Sequence, residues 1–343
     1  MAIIDKPSDH FNTKLYTGNE STRSETGVGF QPDWTWIKVR SRADPHILTD
    51  VVRGTSSQLS SDTAAVQQTF SNMITSFNSD GFSLGANVDV NRNSETFVAW
   101  NWLAANGTAS NTTGSTNSTV SVNTTSGFSI VSYTGNGSQP STVGHGLGVT
   151  PQVVLVKPRS DAQSWCMYHE SIGNTKVTYL DSTSASGSSS VWNNTSPTSS
   201  LFTVNDNQVN SNTITYIAYC FAEKQGYSKF GSYSGNNNAD GAFIYTGFKP
   251  AFVLVKRYAG GSQSWGIVDN KRSSYNLISA MLNPDSTGSE GGNNGMDLLS
   301  NGFKMRSSDG NSNGYTDGYI YMAFAENPFV TSTGNGSIPA TAR

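Results

Sequence analysis

The sequence predicts an all-β protein, and three observations carry that expectation. Gly, Ser, Thr and Asn dominate a chain in which aromatic residues reach 11% and charged residues only 13%. That mixture favours short strands joined by tight polar turns and disfavours long helices. Runs such as Val153-Val154-Leu155-Val156 are continuously apolar, and Tyr216, Ala218 and Cys220 alternate with Ile217, Tyr219 and Phe221. Both faces of such strands are partly apolar, as in strands central to a sandwich. An internal repeat, finally, writes the same strand three times.

The repeat begins as Gly29-Phe30-Gln31-Pro32-Asp33-Trp34-Thr35-Trp36-Ile37-Lys38. It returns as Gly148-Val149-Thr150-Pro151-Gln152-Val153-Val154-Leu155-Val156-Lys157 and as Gly247-Phe248-Lys249-Pro250-Ala251-Phe252-Val253-Leu254-Val255-Lys256. Upstream lie Tyr16-Thr17-Gly18-Asn19 and Tyr133-Thr134-Gly135-Asn136. In the third copy either Tyr245-Thr246-Gly247 or Tyr233-Ser234-Gly235-Asn236 is the equivalent, and sequence alone leaves both open. Downstream, Ser164-Trp165 and Ser264-Trp265 follow the strand in copies two and three, where copy one has Pro45-His46. Each copy closes on an aromatic strand: Phe97-Val98-Ala99-Trp100, Tyr216-Ile217-Ala218-Tyr219 and Tyr319-Ile320-Tyr321-Met322-Ala323-Phe324.

A chain of 343 residues is long enough for two to four domains, each with its own core. The repeat therefore predicts three tandem antiparallel β-sandwich modules: 1–104, 128–225 and 226–330. Between the first two, 105–127 is nearly free of large apolar residues and reads as a Ser/Thr/Asn-rich linker; 331–343 reads as a C-terminal tail. One helix is expected within 62–78, where Ala64, Val66, Phe70 and Ile74 recur near helical spacing.

A formal net charge of −3 gives no basic field for nucleic acid. No apolar run approaches a membrane span, and the opening residues lack a signal-peptide pattern, so synthesis in the cytoplasm is expected. The two cysteines, Cys166 and Cys220, are too few for a disulfide framework, and whether they pair is open.

No cofactor, metal or catalytic residue is expected. His10, His46, His145 and His169 are scattered, without a nucleophile motif or a second ligand at metal spacing. Gly144-His145-Gly146-Leu147-Gly148 and Gly291-Gly292-Asn293-Asn294-Gly295 lack the Lys-Ser/Thr continuation of a phosphate loop. Asp309-Gly310-Asn311-Ser312-Asn313-Gly314, with Asp317 beyond, imitates half a calcium loop, but Ile320 stands where a bidentate Glu is needed. It reads as a turn, with a weak cation as the lesser alternative. Trp34, Trp36, Trp100, Trp102, Trp165 and Trp265 fall in or beside strands and read as core rather than sugar-stacking platforms. Lys38, Lys157 and Lys256, with Arg40, Arg159 and Arg257 nearby, read as solvated strand ends or ion pairs to a neighbouring module.

The elements of the first module from Tyr16 to Trp102, including Leu48-Thr49-Asp50 followed by Arg53-Gly54, Asp80-Gly81-Phe82-Ser83-Leu84 and Val98-Ala99-Trp100-Asn101-Trp102, resemble repeat-module virion proteins of tailed, often marine, bacteriophages, of tail-fibre or capsid-associated type. The resemblance is weaker over modules two and three. It implies jelly-roll or lectin-like sandwich modules and a non-enzymatic structural protein on the virion surface, a tail-fibre or spike component contacting the host cell. It also implies a homo-oligomer, with a trimer among the candidates, that meets other virion proteins and a host surface glycan. Head decoration or a capsid fibre is the alternative location. An array of carbohydrate-binding modules is the alternative class, and a depolymerase would require carboxylates paired in one cleft.

Overall fold

The computed structural model describes residues 3–292 and 295–331; of the expected tail, all beyond Thr331 lies outside the described residues. The fold is all-β, with several antiparallel sheets and helices of only four residues, Val88–Asn91 and Asn207–Asn210. Each repeated segment contributes one large sheet with the same strand order. In the first it is Phe11–Thr17, Thr96–Trp102, Trp34–Val39, Ile47–Asp50; in the third, Ser228–Ser234, Gly318–Pro328, Phe248–Arg257, Gly266–Asp269. The second has the same four, Phe128–Thr134, Thr215–Phe221, Val153–Pro158 and Cys166–His169, inside an eight-stranded sheet. A small sheet accompanies each: Arg23–Thr26 with Gly81–Leu84 and Ile74–Asn78, Ser141–Gly144 with Leu201–Val204, and Phe243–Tyr245 with Gly302–Met305 and Met296–Leu299.

Two local expectations are corrected. The stretch 105–127 is not a linker: Ala109–Asn111 and Ser118–Asn123 extend the second large sheet, Val120 pairing with Val131. It looked like a linker because a sheet-edge strand needs few large side chains; its Ser118 Oγ instead donates to the Gly144 carbonyl at 2.9 Å. The helix expected within 62–78 is absent. Gln68–Thr69 and Ile74–Asn78 are strands, and the Ala64 carbonyl, which a helix would consume internally, accepts from Lys157 Nζ at 3.0 Å.

The open alignment of the third copy is resolved by hydrogen bonding. Tyr16, Tyr133 and Tyr233 occupy equivalent edge-strand positions, and their hydroxyls donate to the carbonyls of Val90, Val209 and Ser312 at 2.7, 2.7 and 2.5 Å. Each ring stacks on the facing residue of the closing strand, Phe97, Tyr216 or Tyr319. A buried amide then clamps the following turn in each segment: Asn91, Asn210 and Asn313 accept from the backbone N–H of Asn19, Asn136 and Asn236. Tyr233-Ser234-Gly235-Asn236 is therefore the true counterpart.

Alternation along the central strands explains why both faces are apolar. Ile37, Val39, Phe97 and Ala99 face the first small sheet, whereas Trp34, Trp36, Val98, Trp100 and Trp102 face the other way. The same division separates Val154 and Val156 from Val153 and Leu155, and Val253 and Val255 from Phe252 and Leu254. The outward sets of all three segments meet in one aromatic core. There Trp34 stacks on Tyr219 with centroids 4.4 Å apart, Trp100 meets Phe252 at 5.7 Å, and Phe221 meets Phe324 at 5.9 Å. The expectation that each module keeps a core to itself is thus corrected: each has one, and shares a second, because a large sheet buries one face on its small sheet and must bury the other too.

Around this shared core the segments close head to tail. Lys38, Lys157 and Lys256 are fully buried rather than solvated. Each ammonium crosses to a carbonyl of the preceding segment, the first reaching round to the third: Lys38 to Thr287 at 3.1 Å, Lys157 to Ala64 at 3.0 Å, Lys256 to Thr183 at 2.7 Å. In the same loops, the Trp165 indole N–H donates to the Ser60 carbonyl at 2.8 Å and that of Trp265 to the Tyr179 carbonyl at 2.9 Å. His46, at the position where the first copy lacks tryptophan, reaches the Asn283 carbonyl at 3.1 Å. Gln67, Ser186 and Glu290 complete the loops, their N–H groups donating to the carbonyls of Arg159, Tyr258 and Arg40. The register equivalent of Arg40 and Arg159 is therefore Tyr258, not Arg257.

One buried contact shows the closure residue by residue. Asp50 and Arg53 form a fully buried ion pair that also receives the Tyr219 hydroxyl at 2.7 Å, and Asp269 with Arg272 likewise receives the Trp100 indole N–H at 3.0 Å. At the third junction the facing residue is Met322, which has nothing to donate, and the pair is replaced by His169 and Ile172. His169 Nε2 turns to the Tyr321 carbonyl at 3.3 Å. Donor, acid and base are lost together, as expected when a buried charge without its partner costs several kcal/mol.

Two tests follow from the buried lysines. Lys157→Met keeps the stem but leaves the Ala64 and Gln163 carbonyls without their donor; urea unfolding should show a loss of about 2 kcal/mol. Burial also lowers Lys38, Lys157 and Lys256 to about 8, against about 10.4 in the unfolded chain. Between these values the unfolded chain holds more protons, so stability rises with pH. The urea midpoint should be higher at about pH 9.5 than at about pH 7.5, and the increment should shrink in Lys157→Met.

Candidate binding surface on the third segment

The residues that the sequence offers for chemistry are used by the fold. Three imidazoles share one arrangement: Nδ1 of His46, His145 and His169 accepts from Trp36 Nε1, Leu147 N and Ser171 N, while Nε2 faces the carbonyl of Asn283, Thr198 or Tyr321. This fits a neutral Nε2–H tautomer, and burial lowers all three, His169 to about 4. His10 packs edge-on against Tyr227. Trp34, Trp36, Trp100, Trp102, Trp165 and Trp265 are all buried in the shared core, as the strand positions suggest.

The Asp309 loop is a turn. The Asp309 carboxylate accepts from Asn311 N at 2.8 Å and its carbonyl accepts from Ser312, Asn313 and Gly314. Asp317 pairs with Arg257 instead, and Ile320 is buried in the core. No group of three His, Cys, Asp or Glu side chains able to hold a metal is found among the described residues. The loop Gly144–Gly148 runs off a small-sheet strand with His145 buried, and Asn293 and Asn294 of the other glycine cluster lie outside the described residues. Cys166 and Cys220 are free. They sit on the two strands flanking Val153–Pro158, opposite Val156 and Val154, about 12 Å apart at the usual strand spacing and rise, too far to bridge.

The surface is where the three segments differ. All large apolar side chains that stand exposed among the described residues, Phe243, Tyr245, Tyr275, Leu277, Tyr315, Phe329 and Val330, belong to the third segment. Register makes the comparison direct. Ser24 and Thr26 pair with Ser83 and Gly81, Thr142 and Gly144 with Thr203 and Leu201, and Phe243 and Tyr245 with Lys304 and Gly302. The same two register positions carry Ser and Thr, then Thr and a glycine buried against Asn111, then Phe and Tyr. In the first segment that face is a hydroxyl-amide net, Ser24 Oγ lying 2.9 Å from Ser83 Oγ, which accepts from Asn78 Nδ2 at 2.8 Å. In the third, two aromatic rings about 7 Å apart along the strand are flanked by the ion pairs Lys304–Asp240 at 2.7 Å and Arg306–Asp297 at 3.5 Å.

Beside Tyr245 the surface dips into a groove where the second segment hands over to the third. Glu223, Lys224, Ser228 and Lys229 line it together with Tyr245, Thr246, Gly247 and Val330. Glu223 is committed: it accepts from Lys229 Nζ at 2.8 Å and from Phe230 N at 2.7 Å. Elsewhere on this segment the Arg257 guanidinium lies 3.7 Å from the exposed Tyr315 ring, fixing that ring as well. Sequence reading missed Phe243 and Tyr245 because Tyr245-Thr246-Gly247 imitates the framework Tyr-Thr-Gly element. The signal that finds them is the change of residue type at two aligned register positions.

With both thiols buried and raised by burial, a thiol reagent should label neither cysteine in the native protein and both after denaturation. Calcium or a chelator should leave the melting temperature unchanged to within about 1 °C.

Residues 6–328 match the family model described as Domain of unknown function (DUF7483), a single match that runs through all three segments. The chain belongs to that family. No curated protein and no solved structure matches it.

Proposed function

We propose that this member of the DUF7483 family is a non-enzymatic bacteriophage virion surface protein, a tail-fibre or spike component that touches the host cell surface with its third module. In this reading the three segments are tandem β-sandwich modules, each a large sheet over a small one. The shared core and crossed lysines hold them as a rigid three-sided head. Glycan on the host envelope is the natural partner for a flat face carrying two exposed rings among hydrogen-bonding and charged groups, because such rings cover the apolar face of a sugar while polar neighbours meet its edge.

The observation that carries the proposal is the confinement of exposed large aromatic side chains, among the described residues, to the third of three repeated segments, two of them, Phe243 and Tyr245, on its small sheet. A surface kept polar twice and aromatic once marks a place of contact rather than a packing requirement. The resemblance of the first module to virion proteins supplies the particle context. Assembly with other virion proteins, and as a homo-oligomer, belongs to the same reading.

Immunoelectron microscopy of purified phage tests the location, with a tag inserted at the exposed Asn106-Gly107 turn. Label at the tail tip is expected. Label over the head would make this a decoration protein, and its absence from particles would leave an array of carbohydrate-binding modules. Purified protein should bind host cells, and Phe243→Ala with Tyr245→Ala should reduce that binding about tenfold or more without lowering the melting temperature.

A further inference from the structure

The groove beside Tyr245 has an uneven charge balance. Lys229 is neutralised by Glu223 at 2.8 Å, whereas no carboxylate of the described residues forms a salt bridge with Lys224. The Lys224 stem lies over Gly127, where an added Cβ would come within 3.0 Å of Cε. That glycine is also held at φ +72° with its Cα against the Ala222 carbonyl, so the bare backbone gives the lysine its place. Tyr245, 59% exposed, lines the same groove. The groove therefore offers one cation with uncompensated charge, one open aromatic face, and the polar side chain of Gln225.

We propose that this groove is a subsite for an anionic saccharide, a sugar ring stacked on Tyr245 with its carboxylate or phosphate on the Lys224 ammonium. The inference rests on the host-surface reading above and narrows it from glycan to acidic glycan. An ammonium drawn partly out of water gains more from a bound anion than a fully hydrated one. Burial accordingly lowers Lys224 from the ordinary lysine value. A neutral sugar would leave that charge facing only hydroxyls. The paired Lys229 and Glu223 line the groove without adding net charge. Carboxylate and phosphate present the same acceptor oxygens to a lysine, which binds as a point charge rather than a fork.

The test is calorimetric titration of the full-length protein with three oligosaccharides of equal length: an oligouronate, a phosphorylated oligomannoside and a neutral oligoglucan. Binding of at least one anionic oligosaccharide is expected, weakened by added salt, with the neutral one at least about tenfold weaker. Which anionic arm binds identifies the acid group. Lys224→Met should lose about tenfold, Lys224→Arg should retain binding, and Tyr245→Ala should lose a similar factor, all with unchanged melting temperature. Equal affinity for the neutral sugar, or Lys224→Met binding like the parent, would overturn the acidic subsite while the host-surface reading stands. The same holds if none of the three binds yet the protein still adheres to host cells. Failure to bind either saccharides or host cells overturns both.

Discussion

The rest of the structure depends on one constraint: each large sheet is apolar on both faces. One face is covered by the small sheet of its own segment. The other carries Trp34, Trp36, Trp100 and Trp102 in the first segment, Leu155, Tyr219 and Phe221 in the second, and Phe252, Met322 and Phe324 in the third. Left in water, such a face would forfeit roughly 1.5–3 kcal/mol for each large side chain. Three such faces directed at a common centre bury one another. This is the closed form of a head-to-tail contact, achieved within a single chain.

Closure makes the loops more than connections. The loops around 60–67, 179–186 and 283–290 each present carbonyls to the indole, imidazole and ammonium groups of a neighbouring segment. A buried lysine there satisfies carbonyls that no sheet could reach, with two or three of its N–H groups donating. The correlated replacement of the Asp-Arg pair by His169 and Ile172 opposite Met322 shows the same economy. The framework tolerates a change at one junction when donor and acceptor leave together.

With the interior so shared, the outward faces of the small sheets are free to differ. Two remain hydrogen-bonded polar surfaces, and the third presents Phe243 and Tyr245 beside a groove holding Lys224. A rigid scaffold with one altered face is a physical arrangement suited to contact: recognition residues change without disturbing the core, and the core fixes their geometry.

By itself the sequence determined the class, the number of repeats, the strand that carries Pro and Lys at fixed offset, and the placement of the tryptophans in strands. These are local properties, set by composition, by alternation along a strand and by internal comparison. It also indicated that the central strands are buried on both sides. What lay against the second side was decided only by tertiary structure, because alternation reports that a face is apolar and not what covers it. For the same reason Lys38, Lys157 and Lys256 read as solvated ends, the tract 105–127 as a linker and 62–78 as a helix. The lysines reach carbonyls far away in the chain, and the two tracts are short strands whose small polar or helix-spaced residues hide the pairing with their neighbours. Phe243 and Tyr245 stood in the sequence throughout, but exposure is a relation to the rest of the molecule, and only the fold left them uncovered.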